Sequence, residues 1–304
     1  MCIRDRKYRT GSGQYSSGGV RHYRHTDSRL YHCRTTYWIV MIRAEGIHKT
    51  FGDNHVLKGI DFTFEKSKTN LIIGKSGAGK TVLLKILVGL MNPTEGHVWY
   101  DDQDLCDLNK NQLLKLRMQV GMLFQGNALF DSMTVGENIR FPMDMFTTMT
   151  AKEKRDRVDL CLEQVSMEGI NNKYPSEISG GMQKRVGIAR AIVLKPKYLF
   201  ADEPNSGLDP KTAITIDALL TQITDANNIT TIINTHDMNS VMEIGENICL
   251  LHLGKLAWQG NKDEVLDSDN ETLQNFIFAS PFLQKLKARA MGNMGQASNN
   301  ETLL

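Results

Sequence analysis

Short apolar runs and amphipathic stretches follow one another along most of this chain. Buried strands are predicted where the apolar runs occur, at residues 70–73, 120–124, 198–201, 230–235 and 248–251. Helices are predicted where apolar residues recur at helical spacing, at residues 82–88, 108–118, 151–168, 182–194 and 210–226. Strands that alternate with helices predict an α/β fold with a mostly parallel sheet covered on both faces.

The remaining segments have weaker patterns. Residues 42–47, 56–64 and 97–100 read as further strands, and residues 255–258 pair with the strand before them as a hairpin around Gly254. The stretch 126–150 carries Gly, Asn, Pro and several Met, and it predicts a loop with short helices. No apolar run approaches the ~18–20 residues of a membrane-spanning helix.

Both ends of the chain differ from its centre. Residues 1–40 hold eight Lys or Arg against two Asp or Glu, with no sustained helical or strand period. We expect them to be a disordered extension upstream of a natural start at Met41, with a transit peptide or a basic nucleic-acid arm as alternatives. Residues 263–304 predict a tail that is helical near 271–289, with a break at Pro281.

Composition excludes several classes of protein. The 304 residues are 41% hydrophobic and 23% charged, which is typical of a globular protein. Beyond residue 40 the chain has 28 Lys or Arg against 32 Asp or Glu, so its charge gives no reason to expect a nucleic-acid partner. The five cysteines are scattered and lack C-x-x-C spacing, which predicts a reducing compartment without disulfides or a zinc site.

One motif predicts the chemistry. The segment G-x-x-x-x-G-K-[ST] lies between a predicted strand and a predicted helix, and it comprises Gly74, Lys75, Ser76, Gly77, Ala78, Gly79, Lys80 and Thr81, followed by Val82. In this context the motif predicts a phosphate-binding loop, in which backbone N–H groups and the helix N-terminus bind phosphate oxygens. Lys80 is expected to reach the β- and γ-phosphates, and the Thr81 hydroxyl is expected to bind Mg²⁺.

A second site element lies at the end of the predicted strand 198–201. Asp202 follows that strand directly and is placed to hold Mg²⁺ through water. Glu203 comes next and is placed to act as the general base for a water that attacks the γ-phosphate. Two acids at a strand end are common on protein surfaces, but an upstream phosphate-binding loop makes the catalytic interpretation the stronger one.

Several further motifs resemble those of the ATP-binding-cassette (ABC) ATPases. Ser179, Gly180 and Gly181, followed by Met182 and Gln183, resemble the family signature. The order of the other matches is also that of the family, with Phe51 for the adenine-stacking aromatic, Gln125 for the Q-loop, residues 206–209 for the D-loop and His236 for the switch histidine. The resemblance covers residues 41–258. Two departures, Ile178 and Met182 in the signature, leave the phosphate-contacting Ser and second Gly in place.

The resemblance implies a fold, a mechanism and partners. The fold is a P-loop NTPase cassette over residues 41–262, with an antiparallel β subdomain and an inserted helical subdomain at about 126–194. ATP and Mg²⁺ are the expected ligands, in a head-to-tail dimer of two copies. In that dimer Ser179 and Gly181 of one copy contact the ATP held by the other. The remaining implied roles are Mg²⁺ ligation by Thr81 and Gln125, γ-phosphate contact by His236 and a bridge between subunits by Asp209.

The segment after Gln125 resembles one branch of the family. Residues 124–135 and 137–142 are similar to the Mla-type ATPases, which energise phospholipid traffic between bacterial membranes. The resemblance implies a peripheral subunit on the cytoplasmic face of the inner membrane. It also implies a permease that docks near residues 126–142 and a lipid-binding substrate carrier. The alternatives are the ATPase of an importer for amino acids or other small solutes, and a soluble ABC protein of DNA repair or translation.

Overall fold

A computed structural model gives the structure of the protein and describes residues 41–278. Two short 3₁₀ turns, Leu105–Asp107 and Pro175–Glu177, accompany the strands and helices. In chain order the elements are β1 (Ile42–Phe51), β2 (Asn54–Phe64), β3 (Thr69–Ile73), α1 (Lys80–Leu87), β4 (Glu95–Tyr100), β5 (Gln103–Asp104), α2 (Lys110–Arg117), β6 (Val120–Leu123), α3 (Val135–Phe146), α4 (Ala151–Gln164), α5 (Gly180–Ile192), β7 (Tyr198–Asp202), α6 (Pro210–Asn227), β8 (Thr230–Thr235), α7 (Met238–Ile244), β9 (Asn247–His252), β10 (Lys255–Gly260) and α8 (Glu271–Ile277).

A six-stranded sheet in the order β10-β9-β3-β8-β7-β6 forms the centre of the fold. All neighbouring strands are parallel except β10, which pairs antiparallel with β9. Alternate residues of one strand enter different cores, since Leu71 and Ile73 lie in one cluster of buried side chains and Ile72 lies in the other. The predicted mostly parallel sheet with two covered faces is therefore confirmed.

A second, antiparallel sheet in the order β2-β1-β4-β5 lies on one side of the central sheet. Its buried side chains, such as Ile47 and Phe64, share a core with Leu83 and Leu84 of α1. Helices α3, α4 and α5 contribute to the other core, through residues that include Ile139, Leu162 and Val186. This arrangement agrees with an α/β P-loop cassette that carries an antiparallel β part and a helical part.

The prediction of only short helices within residues 126–150 is wrong, because α3 extends over 12 residues. The Thr134 hydroxyl accepts a hydrogen bond from the Glu137 backbone N–H, and the Glu137 carboxylate accepts one from the Thr134 N–H. This capping box satisfies two otherwise unpaired donors at the helix start. Val135, Ile139 and Met143 then bury one helical face. The start signal, a threonine three residues before a glutamate, was present in the sequence.

Two other differences concern the ends of elements. The helix predicted over residues 151–168 ends at Gln164, because the chain reverses at Val165 and Ser166 has a left-handed φ of 54°. The seven-residue helix α7 had no periodic signal long enough to predict it. The predictions for residues 1–40 and 279–304 lie outside the described residues. No helix within residues 41–278 combines the length and the apolar character needed to cross a bilayer.

Candidate nucleotide-binding and hydrolysis site

The phosphate-binding loop connects the end of β3 to the start of α1. Gly74 and Gly79 have φ angles of 145° and 103°, in a region of backbone conformation that residues with a Cβ rarely adopt. A Cβ on Gly74 would lie 2.4 Å from the carbonyl oxygen of Leu251. Glycine at this position therefore allows the loop to lie directly against the end of β9.

Lys80 holds its ammonium group against this loop. The side chain is buried, and Nζ donates hydrogen bonds to the carbonyl oxygens of Gly74 at 2.9 Å and Lys75 at 3.3 Å. Burial lowers the pKa of Lys80, and the carboxylates of Glu203 and Asp202 partly offset that effect. A poorly hydrated ammonium that is fixed at a loop of backbone N–H groups is well suited to bind phosphate oxygens.

Thr81 and Asp202 lie together where α1 begins and β7 ends. The Thr81 hydroxyl donates to Asp202 Oδ1 at 3.3 Å, and Asp202 is 7% exposed. Hydroxyl and carboxylate oxygens are the ligands that Mg²⁺ prefers, so this pair fits the predicted magnesium site. Gln125, the third predicted ligand, is instead hydrogen-bonded through Nε2 to Glu203 Oε2 and Ser206 Oγ, both at 3.3 Å. Its role as a metal ligand stays a prediction.

Glu203 is the centre of the predicted catalytic group. Its Oε1 lies 3.1 Å from Nδ1 of His236 and 4.0 Å from Nζ of Lys80, and its Oε2 accepts the bond from Gln125. Glu203 has a left-handed φ of 46°, which directs the chain sharply out of β7. The structure thus brings the other three predicted catalytic side chains to the Glu203 carboxylate, which retains 19% exposure.

The predicted signature residues lie at the N-terminus of α5. Ser179 caps the helix, with its Oγ accepting from the Met182 N–H at 3.3 Å, and Ser179 and Gly180 are exposed. Gly181 contacts the start of α6, because a Cβ there would lie 2.7 Å from Thr212 Cγ2. Within the described residues, no hydrogen bond joins Ser179, Gly180 or Gly181 to the phosphate-binding loop. These three residues are therefore available to a molecule outside this chain.

Asp209 and Phe51 complete the set of predicted contacts. Asp209 is exposed and caps α6 by accepting from the N–H groups of Lys211 and Thr212, each at 3.1 Å. Hydrogen bonds from Thr212 lower the pKa of the Asp209 carboxyl. Phe51 ends β1 with 45% exposure, and the Lys49 ammonium lies 5.2 Å from its ring centroid. An exposed ring of this kind can stack on a planar base.

The sequence did not identify two buried polar side chains of this site. Lys184 of α5 is 2% exposed and donates from Nζ to the backbone oxygen of Gln125. Asn234 of β8 is fully buried and donates to Asp202 and Thr81. The available signal was a polar residue within an otherwise apolar stretch. Their partners could not be identified, because they lie 32 to 153 residues away in the sequence.

The fold and site define a P-loop nucleotide hydrolase. Residues 57–206 match the family described as ABC transporter.

Three curated relatives have names that refer to different molecules. The probable ribonucleotide transport ATP-binding protein mkl of Mycobacterium tuberculosis is 35% identical over 238 residues, which are 78% of this chain and 66% of that protein. The Arabidopsis thaliana protein TRIGALACTOSYLDIACYLGLYCEROL 3, chloroplastic, is 32% identical over 79% of this chain and 74% of its own length. The methionine import ATP-binding protein MetN of Campylobacter jejuni is 35% identical over 80% and 77%.

Two solved structures that are similar to this chain are also ABC cassettes. A structure described as the dimeric structure of MJ0796, a bacterial ABC transporter cassette, has a TM-score of 0.67 and 32% identity, with 73% of this chain and 98% of that chain covered. A post-hydrolysis state of the same cassette, bound to ADP and Pi, has a TM-score of 0.66 and 31% identity, with the same coverage.

The chain belongs to the ABC transporter ATP-binding family. It contains the ATP-hydrolysing cassette of that family, which uses ATP together with Mg²⁺. The chain spans 66% of the length of the Mycobacterium bovis and Mycobacterium tuberculosis relatives.

Proposed function

We propose that this protein is the ATPase subunit of a membrane transporter that moves phospholipid between bacterial inner and outer membranes. The resemblance of residues 124–135 and 137–142 to the Mla-type ATPases carries the proposal. A relative that is named after a galactolipid and aligns over 79% of this chain supports it.

Hydrolysis in this proposal depends on Glu203. Its carboxylate takes a proton from the attacking water, and His236, 3.1 Å from the same carboxylate, orients that water. Lys80 and the N–H groups of the loop bind the phosphates, and Phe51 stacks on the adenine. Thr81 and Asp202, with Gln125 as the further predicted ligand, would hold Mg²⁺, which neutralises phosphate charge when bound.

The second half of the site comes from another copy of the chain. Ser179 and Gly181 have no hydrogen bond to the phosphate-binding loop of their own chain among the described residues. Their helix N-terminus is suited to an anion, and the exposed Asp209 lies beside them across the Gly181–Thr212 contact. We therefore propose a head-to-tail dimer with two ATP molecules between the copies. The relative MJ0796 is described as dimeric.

The proposed permease-docking surface is formed by residues 126–142. The rings of Phe130 and Phe141 lie 4.9 Å apart, and Phe130 is 41% exposed. Phe124, 39% exposed, lies next to Gln125 in the sequence. Exposed aromatic rings beside a catalytic loop suit the docking of an apolar helix. A permease on this surface would hold the ATPase at the cytoplasmic face of the inner membrane, and a lipid-binding carrier would complete the transporter.

The test uses the protein together with its proposed permease, reconstituted in phospholipid vesicles. We expect ATP-dependent transfer of a fluorescent phospholipid to acceptor vesicles, and we expect Glu203→Gln to reduce turnover by about 10²–10⁴-fold. Glu203→Gln should also retain ATP and accumulate as a dimer, measured by light scattering. Normal hydrolysis by Glu203→Gln would refute the assigned general base.

The second candidate is the ATPase of an amino-acid importer, which the 35% identity to a methionine import protein favours. The same vesicles distinguish the phospholipid transporter from the amino-acid importer. ATP-dependent methionine uptake without phospholipid transfer would replace the lipid proposal by this one.

A further inference from the structure

Asn234 is a polar side chain in the middle of the central sheet. It lies in β8 opposite Ile72 of β3 and Asp202 of β7, and it has no solvent exposure. Its neighbours Ile232 and Ile233 are buried apolar residues. Burial of an amide costs free energy unless hydrogen bonds replace those made with water, so the partners of Asn234 indicate why the sheet retains it.

Both amide donors point toward the predicted magnesium site. Asn234 Nδ2 lies 2.6 Å from Asp202 Oδ1 and 3.2 Å from Thr81 Oγ1. Thr81 Oγ1 in turn donates to the same Asp202 oxygen at 3.3 Å. The three side chains form a closed triangle. The Thr81 hydroxyl accepts from Asn234 and donates to Asp202, so its rotation about the Cβ–Oγ1 bond is fixed.

The orientation of the Asn234 amide is set by its donors. Its Oδ1 is buried and has no hydrogen-bond partner among the described residues. Turning the amide to satisfy Oδ1 would place this oxygen against the Asp202 carboxylate. An unpaired buried oxygen is rare in proteins, and here it accompanies a fixed arrangement of two oxygen ligands.

We propose that Asn234 is a positioning residue for the magnesium site, which fixes Thr81 Oγ1 and Asp202 Oδ1 relative to each other before the ion and ATP bind. This inference rests on the proposed roles of Thr81 and Asp202 in Mg²⁺–ATP binding. With Asp202 Oδ1 occupied by two donors, the second carboxylate oxygen is left for the ion or for a water on it. Among the described residues, the Asn234 side chain makes no hydrogen bond to the phosphate-binding loop before Thr81, so it acts on the metal site rather than on the nucleotide.

The backbone of Asn234 has a separate role. Its carbonyl oxygen accepts from the Glu203 N–H at 2.9 Å, and this bond persists whatever the side chain is. Substitution of the side chain therefore tests the metal site while Glu203 keeps its backbone contact.

The experiment compares Asn234→Leu with the unchanged protein. Leucine has a similar size and suits an apolar strand, but it cannot donate a hydrogen bond. Affinity for Mn²⁺ is measured by electron paramagnetic resonance with a non-hydrolysable ATP analogue present. Affinity for a fluorescent ATP analogue is measured separately in EDTA. We expect Asn234→Leu to weaken Mn²⁺ binding by about 10–100-fold, the range typical for residues that orient metal ligands, with nucleotide affinity in EDTA unchanged.

Thr231→Val is the matched control. Thr231 is buried in the same strand, but its hydroxyl contacts Thr224 rather than the site, so neither affinity should change. Asn234→Val, which also lacks a donor and favours a strand, gives the same comparison if Asn234→Leu does not fold. Unchanged Mn²⁺ affinity in the folded variant, or an equal loss of nucleotide affinity in EDTA, overturns the inference. Absence of metal-dependent nucleotide binding by the unchanged protein would instead refute the proposed ATP site, and this inference with it.

Discussion

Lys184→Met tests whether a lysine outside the recognised motifs controls catalysis. The ammonium group of Lys184 donates to the carbonyl oxygen of Gln125, and Gln125 in turn contacts Glu203 and Ser206 at 3.3 Å each. Contacts of that length are weak and depend on a fixed backbone. Methionine fills the space of the lysine stem without the charge, so the substitution removes the tether and leaves the packing.

The expected effect on stability is modest, because two changes oppose each other. Loss of a hydrogen bond from a charged donor costs about 1.5–3 kcal/mol. Removal of the buried charge offsets part of this loss, because the charged form of Lys184 is destabilised by burial. Burial lowers the pKa of Lys184 despite the attraction of Asp202 and Glu203. We expect the unfolding free energy to fall by at most about 2 kcal/mol, and the Tm by no more than about 8 °C.

The expected effect on turnover is larger. Displacement of a catalytic group by about 1 Å can cost about 10²-fold in rate, so we expect kcat to fall by about 10–100-fold. KM for ATP should change little, because Lys80 and the loop N–H groups are untouched. Phosphate release at varied ATP concentration separates the two constants, and Lys152→Met, at an exposed lysine of α4, is the control. A kcat within twofold of the unchanged protein would refute the positioning role.

The pH dependence has a definite sign. The folded protein has a Lys184 pKa below the ordinary 10.5, so between these values the unfolded chain binds more protons. Stability that depends on Lys184 must then rise as the pH rises toward 10.5. Denaturant unfolding at pH 7.5 and 10.5 should show this rise as a growing difference in unfolding free energy between the unchanged protein and Lys184→Met.

Two further predictions concern stability and nucleotide binding. Asp217→Ala removes the acceptor for Asn205 Nδ2 and Ser240 Oγ, at 2.8 and 2.7 Å, and should lower the unfolding free energy by about 2–4 kcal/mol in urea titrations. Burial raises the pKa of Asp217, so the unchanged protein should lose stability as the pH rises from 4 to 7 and this carboxyl ionises. Asp217→Asn keeps an acceptor and does not ionise, so it should gain stability relative to the unchanged protein over that range. A relative loss would contradict the raised pKa. Gly74→Ala should abolish ATP binding in a fluorescence titration, because its Cβ would meet the Leu251 carbonyl oxygen, whereas Gly126→Ala, with open space around it, should bind normally.

Local patterns predicted the parts of the site that a few consecutive residues define. The loop from Gly74 to Thr81 was predictable because strand, glycines and helix follow one another directly. The same holds for Asp202 and Glu203, which end a buried apolar run, and for the β8 strand before His236. Parallel strands bring their carboxyl ends to one edge of a sheet, so these motifs had to meet there.

Contacts between distant residues were not predictable in the same way. Lys184 and Gln125 are 59 residues apart, and nothing local to either residue indicates the other. Asn234 occupies a strand position where the pattern predicts only burial. Its proposed role depends on two partners from other elements, Thr81 and Asp202. Gln125 is predicted to be a metal ligand, and the structure adds hydrogen bonds to Glu203 and Ser206 that the sequence did not predict. Each of these contacts depends on side-chain geometry across separate elements.

Helix α5 contacts two parts of the molecule that separate motifs define, the signature residues and the loop after β6. Its N-terminus presents Ser179 to Gly181, and further along it Lys184 and Arg190 hold the loop that follows β6. Arg190 donates to the carbonyl oxygens of Asn127 and Ala128, both at 2.7 Å. These two residues have left-handed φ angles of 61° and 50°, which is unfavourable for alanine. Lys184 and Arg190 thus join this helix to the loop at Gln125, Asn127 and Ala128, so a nucleotide that displaced Ser179–Gly181 as proposed would also move the loop beside the proposed permease surface.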